Sequence, residues 1–91
     1  MTTKPIVHNS MQVTIGDVRV VHVWNSGTTV QVRRKETWVR EAWFASVRDA
    51  RFHLVAKYGH DWAYLPARVE AWVKARDRAH NALQDWYTSK S

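Results

Sequence analysis

Three short strand-like runs occupy the first third of the chain and constrain the fold more than any other feature. They are residues 11–15, 18–24 and 28–34. The outer two alternate apolar and polar residues, as in a strand with one buried face, and the middle one is almost all β-branched or aromatic. Gly16-Asp17 and Asn25-Ser26-Gly27 separate the runs with residues that tolerate the positive φ of tight turns. The pattern therefore predicts a three-stranded antiparallel meander.

Residues 37–58 support two interpretations. As a strand, 37–44 would place Arg40 among apolar side chains on one face. As one long helix, the segment has an apolar stripe at steps of three or four residues, formed by positions 39, 43, 47, 50, 54 and 58. Ser46–Asp49 is a competing capping box, which would begin a shorter helix there and leave a fourth strand before it. We expect the long helix, and four strands plus a shorter first helix is the alternative.

A second helix is predicted near the end of the chain. Pro66 suits its first position, and residues 68–87 repeat an apolar stripe every three or four residues. We therefore expect an α+β fold, in which a three-stranded antiparallel meander is followed by two long helices packed on one face of the sheet. Residues 1–91 form a single domain in this interpretation, with 1–9 and 88–91 as loose ends.

The composition adds a strong positive charge and argues against several classes of protein. The 91 residues include 14 Lys and Arg against 8 Asp and Glu, a formal net charge of +6 that favours anionic partners. Cysteine is absent from the sequence, so we expect no disulfide framework, no thiolate zinc site and a reducing, cytoplasmic compartment. No apolar stretch approaches about 18 residues, so we expect no membrane span.

The histidines give little support for catalysis. No two of the five have the spacing of a zinc site, so we expect no metal and no cofactor. Asp49–His53 and Asp77–His80 are close enough in sequence to meet on a helix, and either pair would suit a small metal-independent nuclease. Such pairs are also ordinary surface contacts, worth roughly a few tenths of a kcal/mol. We therefore expect a protein that is not an enzyme.

The strongest candidate site is the basic middle of the chain, where residues 33–58 hold seven Lys and Arg against three Asp and Glu. The run 33–35 would oppose the dipole of a helix that begins there, so local stability does not explain it. Arginines neutralise phosphates and rings stack on bases, which indicates contact with nucleic acid. Another acidic partner, or a solvated helix face that keeps a small protein soluble, is the alternative interpretation. The predicted contact residues are Arg33, Arg34, Lys35, Arg40, Phe44, Arg48 and Arg51, with Trp38 as a second stacking ring.

Six tryptophans in 91 residues exceed what so small a core needs. Trp43, Trp72 and Trp86 lie on the predicted buried stripes, so we assign them to the core. Aromatic residues dominate interface hot spots, and the other three tryptophans with one tyrosine are candidate exposed anchors for a protein partner. These anchors are Trp24, Trp38, Trp62 and Tyr64. A row of alanines at 75, 79 and 82 would let another helix approach closely, either the first helix or a second copy in a homodimer.

Two functional hypotheses follow. Three strands followed by a helix is an order similar to the arm-binding domains of integrases, and in size, charge and lack of cysteine the chain resembles phage-encoded inhibitors such as anti-CRISPR proteins. We expect a non-enzymatic module that contacts nucleic acid, or a nucleic-acid-processing machine, through the basic central segment. The alternative is an inhibitor or adaptor from a phage or other mobile element, which binds protein through exposed Trp and Tyr.

Overall fold

The chain folds into four antiparallel strands followed by two α-helices in a computed structural model that describes residues 3–90. The strands are β1 (Ser10–Ile15), β2 (Val18–Val23), β3 (Gly27–Arg34) and β4 (Thr37–Phe44). The helices are α1 (Val47–Tyr58) and α2 (Leu65–Lys90), with a short 3₁₀ helix (His60–Tyr64) between them. The strands form one sheet in the order β1-β2-β3-β4. The α+β class is confirmed, and the predicted meander continues into a fourth strand.

The predicted long first helix is wrong, because residues 37–44 form strand β4. The alternative, four strands with a shorter first helix, is the correct one. Strict alternation along β4 would put Arg40 on the same face as Ala42 and Phe44, which made the strand look unfavourable from the sequence.

A β-bulge in β4 removes this conflict. Ala42 pairs with Val30 and Arg40 pairs with Gln31, so Glu41 is an extra residue without a cross-strand partner. Side chains alternate with a period of two, and one extra residue therefore moves every side chain before it to the opposite face. Arg40 accordingly lies on the face opposite to that of Ala42.

Helix α1 begins where the capping box placed it. The Ser46 hydroxyl accepts a hydrogen bond from the Arg48 backbone N–H at 3.1 Å and so satisfies one free donor of the first turn. Gly59 ends the helix with a φ of 107°, a conformation that favours glycine. Of the six positions in the predicted stripe, Ala50 and Leu54 are fully buried.

The core lies between one face of the sheet and the helical layer. The buried residues are Val13, Val18, Val20, Thr28 and Val30 from the sheet, and Ala50, Leu54, Trp62, Leu65 and Val69 from the helical layer. The strand register places all five sheet residues on the same side. No residue of the other side of the sheet is buried within the strands described above. The helical layer therefore covers one face and leaves the other uncovered.

The bulge residue Glu41 fastens α1 to the sheet. Its carboxylate accepts hydrogen bonds from Lys57 and from the Tyr58 hydroxyl, and Oε1 lies 3.7 Å from His53 Nε2. Burial acts to raise the pKa of Glu41, but the hydrogen bonds and the charges of Lys57 and His53 outweigh it, so this pKa is lowered. The hydrogen bond to Glu41 in turn raises the pKa of Lys57. The residue that breaks the alternation of β4 is thus also the one that ties the two layers together.

An aromatic cluster joins the middle of α2 to one end of the sheet. The Trp72 ring lies edge-on to His22 and to Trp24, with centroids 5.6 and 6.4 Å apart. The Arg76 guanidinium lies 4.1 Å from the Trp24 ring centroid and donates two hydrogen bonds to Asn9 Oδ1, at 3.0 and 3.2 Å. Trp72 itself is only half-buried, so burial of this ring is not complete. Ring packing and hydrogen bonds hold this part of α2 against the sheet.

The N-terminal segment lies beside α2. Ile6 and His8 line a cavity of about 70 Å³ together with Ala75 and Ala79 of the alanine row. This segment of the same chain therefore approaches α2 where a second helix was expected. A homodimer through α2 stays a prediction.

The predicted loose ends are residues 1–9 and 88–91. Residues 1, 2 and 91 lie outside the described residues, and α2 continues through residue 90. Within residues 3–90, no helix is both long and apolar enough to cross a membrane.

His22, which packs against Trp72 where α2 meets the sheet, is expected to make the stability of the fold depend on pH. Partial burial disfavours the charged ring and lowers the pKa of His22, and His22 Nδ1 lies 2.8 Å from the hydroxyl oxygen of the fully buried Thr28. Just below the ordinary histidine pKa of about 6.5, the unfolded chain therefore binds more protons than the folded chain. We predict that the free energy of unfolding decreases as the pH falls from about 7 to about 5.

Urea unfolding at the two pH values tests this prediction. His22→Gln can keep a hydrogen bond to Thr28 but does not titrate, so its stability should change much less with pH. His60→Gln, at an exposed position, should behave as the wild type does. An equal pH dependence in the wild type and in His22→Gln would contradict the prediction.

Candidate nucleic-acid interface

The uncovered face of the sheet carries a group of arginines and tryptophans, and we call it the open face. Its membership follows from the register, because cross-strand partners point to the same side and both Arg19 and Arg40 pair with Gln31. The members include Gln12, Thr14, Arg19, Val21, Val23, Thr29, Gln31, Arg33, Trp38, Arg40 and Trp43. All of these side chains are at least partly accessible.

Trp43 is the most exposed ring of the open face, with 46% of the residue accessible. Its indole lies against the backbone of Gly27, where an added Cβ would sit 2.7 Å from Trp43 Cζ2 and 2.8 Å from Cε2. Because Gly27 has no side chain, there is room at this position for the Trp43 ring to lie against the sheet. The prediction that Trp43 belongs to the core is wrong, because Trp43 lies in a strand and not on a helical stripe.

Arg19 crosses the sheet from β2 towards β4. Its Nε–H donates to Gln31 Oε1 at 2.6 Å, and its guanidinium carbon lies 4.5 Å from the centroid of the Trp38 ring. A guanidinium over an indole ring is attracted by the electron-rich face of the ring. Arg19 is therefore held in one place near the middle of the open face.

Arg33 and Arg40 are the other two arginines of the open face, and both are exposed. Arg33 Nε–H makes a long hydrogen bond of 3.4 Å to the carbonyl oxygen of Lys35. Within residues 3–90, the ion pairs involve Glu41 and Glu70, neither of which lies on the open face. The three arginines of this face therefore have no carboxylate partner in the described part of the chain.

The predicted basic segment is divided among three places. Arg33 and Arg40 lie on the open face, whereas Arg34 and Lys35 lie at the end of β3 and in the turn that follows it. Lys35 has a φ of 60°, which that tight turn requires. The remaining arginines of the segment belong to α1, on the other side of the sheet.

Phe44, Arg48 and Arg51 do not share a surface with the arginines of the open face. Phe44 lies on the helix-covered face, packs against the core and has its ring 5.2 Å from that of His53. Arg51 is half-buried and donates a hydrogen bond to the Ala63 carbonyl oxygen at 3.1 Å, while Arg48 is exposed in the first turn of α1. Phe44 and Arg51 thus stabilise the helix-covered side of the sheet. They do not share a helix face with Arg40, because residues 37–44 form β4 and α1 begins only after it.

The candidate aromatic anchors also differ from one another. Trp62 is only 2% exposed, so its assignment as an exposed anchor is wrong; the 3₁₀ helix places it in the core instead. Trp24 is half-buried beside Arg76, and Trp38 is half-buried beside Arg19. Tyr64 is 72% exposed and matches the expectation of an accessible ring.

The other two tryptophans assigned to the core are half-buried. Trp72 packs against the core, as assigned. Trp86 lies on α2 with its ring centroid 5.1 Å from that of Tyr87 and 5.6 Å from Lys4 Nζ.

Among the arginines and tryptophans of the open face, Arg19 and Trp43 were not predicted from the sequence as contact residues. A usable signal existed for Arg19, because the alternation of β2 places it opposite to Val18 and Val20. A signal also existed for Trp43, because a strand over 37–44 places it opposite to Ala42 and Phe44, but the long-helix interpretation put it on a buried stripe instead.

The acid–base pairs considered from the sequence are not supported as sites. His53 lies near Glu41, a residue that the sequence analysis did not associate with it, and not in an ion pair with Asp49. Across the described residues, no group of three or more His, Asp or Glu side chains is placed to hold a metal ion. The absence of enzymatic activity stays a prediction.

Comparison of this chain with protein-family models, with curated proteins and with solved structures gives no match.

The contact between Gly27 and Trp43 can be tested by substitution. Gly27 has a φ of 114°, and a Cβ there would lie 2.7 Å from the Trp43 ring and 2.8 Å from the Phe44 carbonyl oxygen. We predict that Gly27→Ala lowers the free energy of unfolding by more than about 1 kcal/mol and shifts the NMR resonance of the Trp43 indole N–H. Gly16→Ala is the matched control, because Gly16 also has a positive φ, 58°, but nothing lies near its added Cβ.

The control should lose less stability and leave the Trp43 resonance in place. Equal losses in the two variants, with an unmoved Trp43 resonance in both, would contradict the close packing of Trp43 on Gly27.

Proposed function

We propose that the chain is a small non-enzymatic module that binds duplex DNA by laying the open face of its sheet into the major groove. The observation that carries the proposal is the uncovered face itself, which has three arginines, two tryptophans and no carboxylate. The proposal keeps nucleic acid as the partner expected from the sequence and moves the contact from the central segment to the sheet.

Charge supports a phosphate-bearing partner. The chain has a formal net charge of +6, and Arg19, Arg33 and Arg40 lack a carboxylate partner among residues 3–90. Lys and Arg that neutralise phosphates release the counterions condensed on DNA, and this release drives binding. Asp17 and Glu36 lie in turns at one end of the sheet, and within residues 3–90 neither forms an ion pair with an arginine of the open face.

The aromatic content favours a duplex over a single strand. Proteins that bind single strands stack successive bases on several aromatic rings. On the open face only Trp43 is well exposed, because the guanidinium of Arg19 lies over the Trp38 ring. One accessible ring among three arginines suits contact with the base edges and phosphates of a duplex. It suits the stacking of several successive bases of a single strand less well.

The dimensions and the polar groups also suit the major groove. Neighbouring strands lie about 4.8 Å apart, so β2 to β4 span about 10 Å, and the groove is about 12 Å wide. Small sheets are known to read DNA from this groove. Arginine is the side chain that pairs with the edge of guanine there, and β2 to β4 carry three arginines on the open face.

A second candidate function is protein binding, as an inhibitor or adaptor, through the helical layer. Tyr64 is 72% exposed and Phe52 is 59% exposed. Exposed aromatic residues of this size are typical of interface hot spots. This function predicts that Tyr64→Ala weakens binding to a protein partner, whereas substitutions on the open face do not.

Fluorescence anisotropy with a labelled, mixed-sequence duplex tests the DNA-binding proposal. Two arginine–phosphate contacts, from the exposed Arg33 and Arg40, predict a slope of log K against log salt of about −1.8, at about −0.9 per phosphate. Arg40→Gln should weaken binding and make this slope less steep by about one unit. Arg78→Gln is the matched control, since Arg78 is also exposed but lies on α2, and it should change binding little.

Two results would overturn the proposal. One is a lack of duplex binding at micromolar protein and about 50 mM salt, where non-specific binding is strong. The other is an equal effect of Arg40→Gln and Arg78→Gln, which would mean that net charge and not the open face carries the affinity. If a single strand of the same length binds more tightly than the duplex, the partner is single-stranded nucleic acid and not a duplex.

A further inference from the structure

The three arginines of the open face are not equivalent. Arg33 and Arg40 are exposed, and the Arg40 side chain has no hydrogen-bond or ion-pair partner among residues 3–90. Arg19 is half-buried and is fixed by both Gln31 and Trp38. A group that neutralises phosphates has no need of such support, because phosphate contact tolerates a mobile side chain and carries no sequence information.

We propose that Arg19 reads base sequence by donating two hydrogen bonds to one guanine, and that Gln31 and Trp38 are its positioning residues. This inference rests on the proposed function, because it assumes that the open face enters the major groove. Arg33 and Arg40 then supply contacts to phosphate, which strengthen binding to any sequence.

The hydrogen bond to Gln31 determines which part of the guanidinium remains for DNA. Arg19 Nε–H donates to Gln31 Oε1, which leaves the four N–H bonds of the two terminal nitrogens. Those nitrogens form the end of the planar fork, and two parallel N–H bonds from such a fork match the O6 and N7 acceptors of guanine. The other base pairs do not present two adjacent acceptors on one base in the major groove, so this orientation favours guanine.

The contact with Trp38 determines where the fork lies. Arg19 begins on β2, passes over Gln31 of β3 and reaches the Trp38 ring on β4. The guanidinium lies over the ring, and the attraction between them holds the cation in place. The Arg19 side chain has therefore lost most of its rotamer freedom before DNA binds, which lowers the entropic cost of binding.

Arg19 and Arg40 also differ in the strands that carry them. Arg19 lies on β2, an interior strand, and pairs with Gln31, which pairs in turn with Arg40. Arg40 lies on β4, an edge strand, and is therefore nearer the border of the face and the DNA backbone when the sheet enters a groove.

The test begins with selection from a duplex pool that has a randomised centre, using the full chain. The wild type should enrich sequences that share one guanine, and replacing that guanine pair by an adenine pair should weaken binding about 5- to 150-fold, the range of a bidentate arginine–guanine contact. Arg19→Lys keeps the charge but removes the fork, so it should bind random sequence about as well as the wild type and enrich no guanine. Arg40→Lys is the matched control and should enrich the same sequences as the wild type.

Two base analogues identify the atoms that are read. Substituting 7-deazaguanine at the selected position removes the N7 acceptor and should weaken binding of the wild type but not of Arg19→Lys. Substituting inosine removes only the amino group in the minor groove and should leave both affinities unchanged. Trp38→Leu should reduce the preference for guanine while leaving the affinity for random sequence nearly the same, as expected of a positioning residue.

The results separate this inference from the function on which it rests. If the wild type binds duplexes with the predicted salt dependence but enriches no guanine, or if Arg19→Lys enriches the same sequences, the role of Arg19 is wrong and the DNA-binding function stands. If inosine weakens binding and 7-deazaguanine does not, the groove is wrong and so is the inference. If no duplex is retained, both proposals fail.

Discussion

Glu41 has no cross-strand partner in β4, and its carboxylate is held by Lys57 and by the Tyr58 hydroxyl of α1. These two facts account for much of the architecture. The extra residue reverses the alternation of β4, so that Ala42 packs towards the helices while Arg40 lies on the uncovered face. The same residue ties the layers together, because a carboxylate that is partly removed from water needs hydrogen-bond donors, and α1 provides them.

The open face depends on this arrangement. Without the bulge, Trp38 and Arg40 would share the helix-covered side with Ala42, and the pairing of Arg19 with the Trp38 ring would not form. Core packing on one side leaves the other side free for polar and basic side chains, because the buried residues of the strands all lie on the helix-covered side. The open face is thus built on the sheet, and the helices pack against its opposite side.

Much of the fold was accessible from the sequence, and the candidate site was accessible only in part. Alternation and turn residues predict β1 to β3, and the Ser46–Asp49 capping box indicates the true start of α1. The long-helix interpretation failed because an apolar stripe at helical spacing arises by coincidence across residues 39–58, and because a bulge has no sequence signal of its own. That error carried over to the site, since it placed Trp43 in the core and grouped Phe44 and Arg51 with arginines that lie on the other face. Trp62 was misplaced for a different reason: a short connector between helices was taken to be exposed, but its 3₁₀ turn buries the ring.

The cross-strand partner of Gln31 shows whether β4 carries the bulge at Glu41. Cross-strand nuclear Overhauser effects on the labelled chain report which residue of β4 lies opposite Gln31. We predict contacts between Gln31 and Arg40, no equivalent contacts to Glu41, and side-chain contacts between Arg19 and the Trp38 ring. Contacts between Gln31 and Glu41 in place of Arg40, or helical contacts over residues 37–44, would contradict this prediction, because Arg40 and Trp38 would then not lie on the open face.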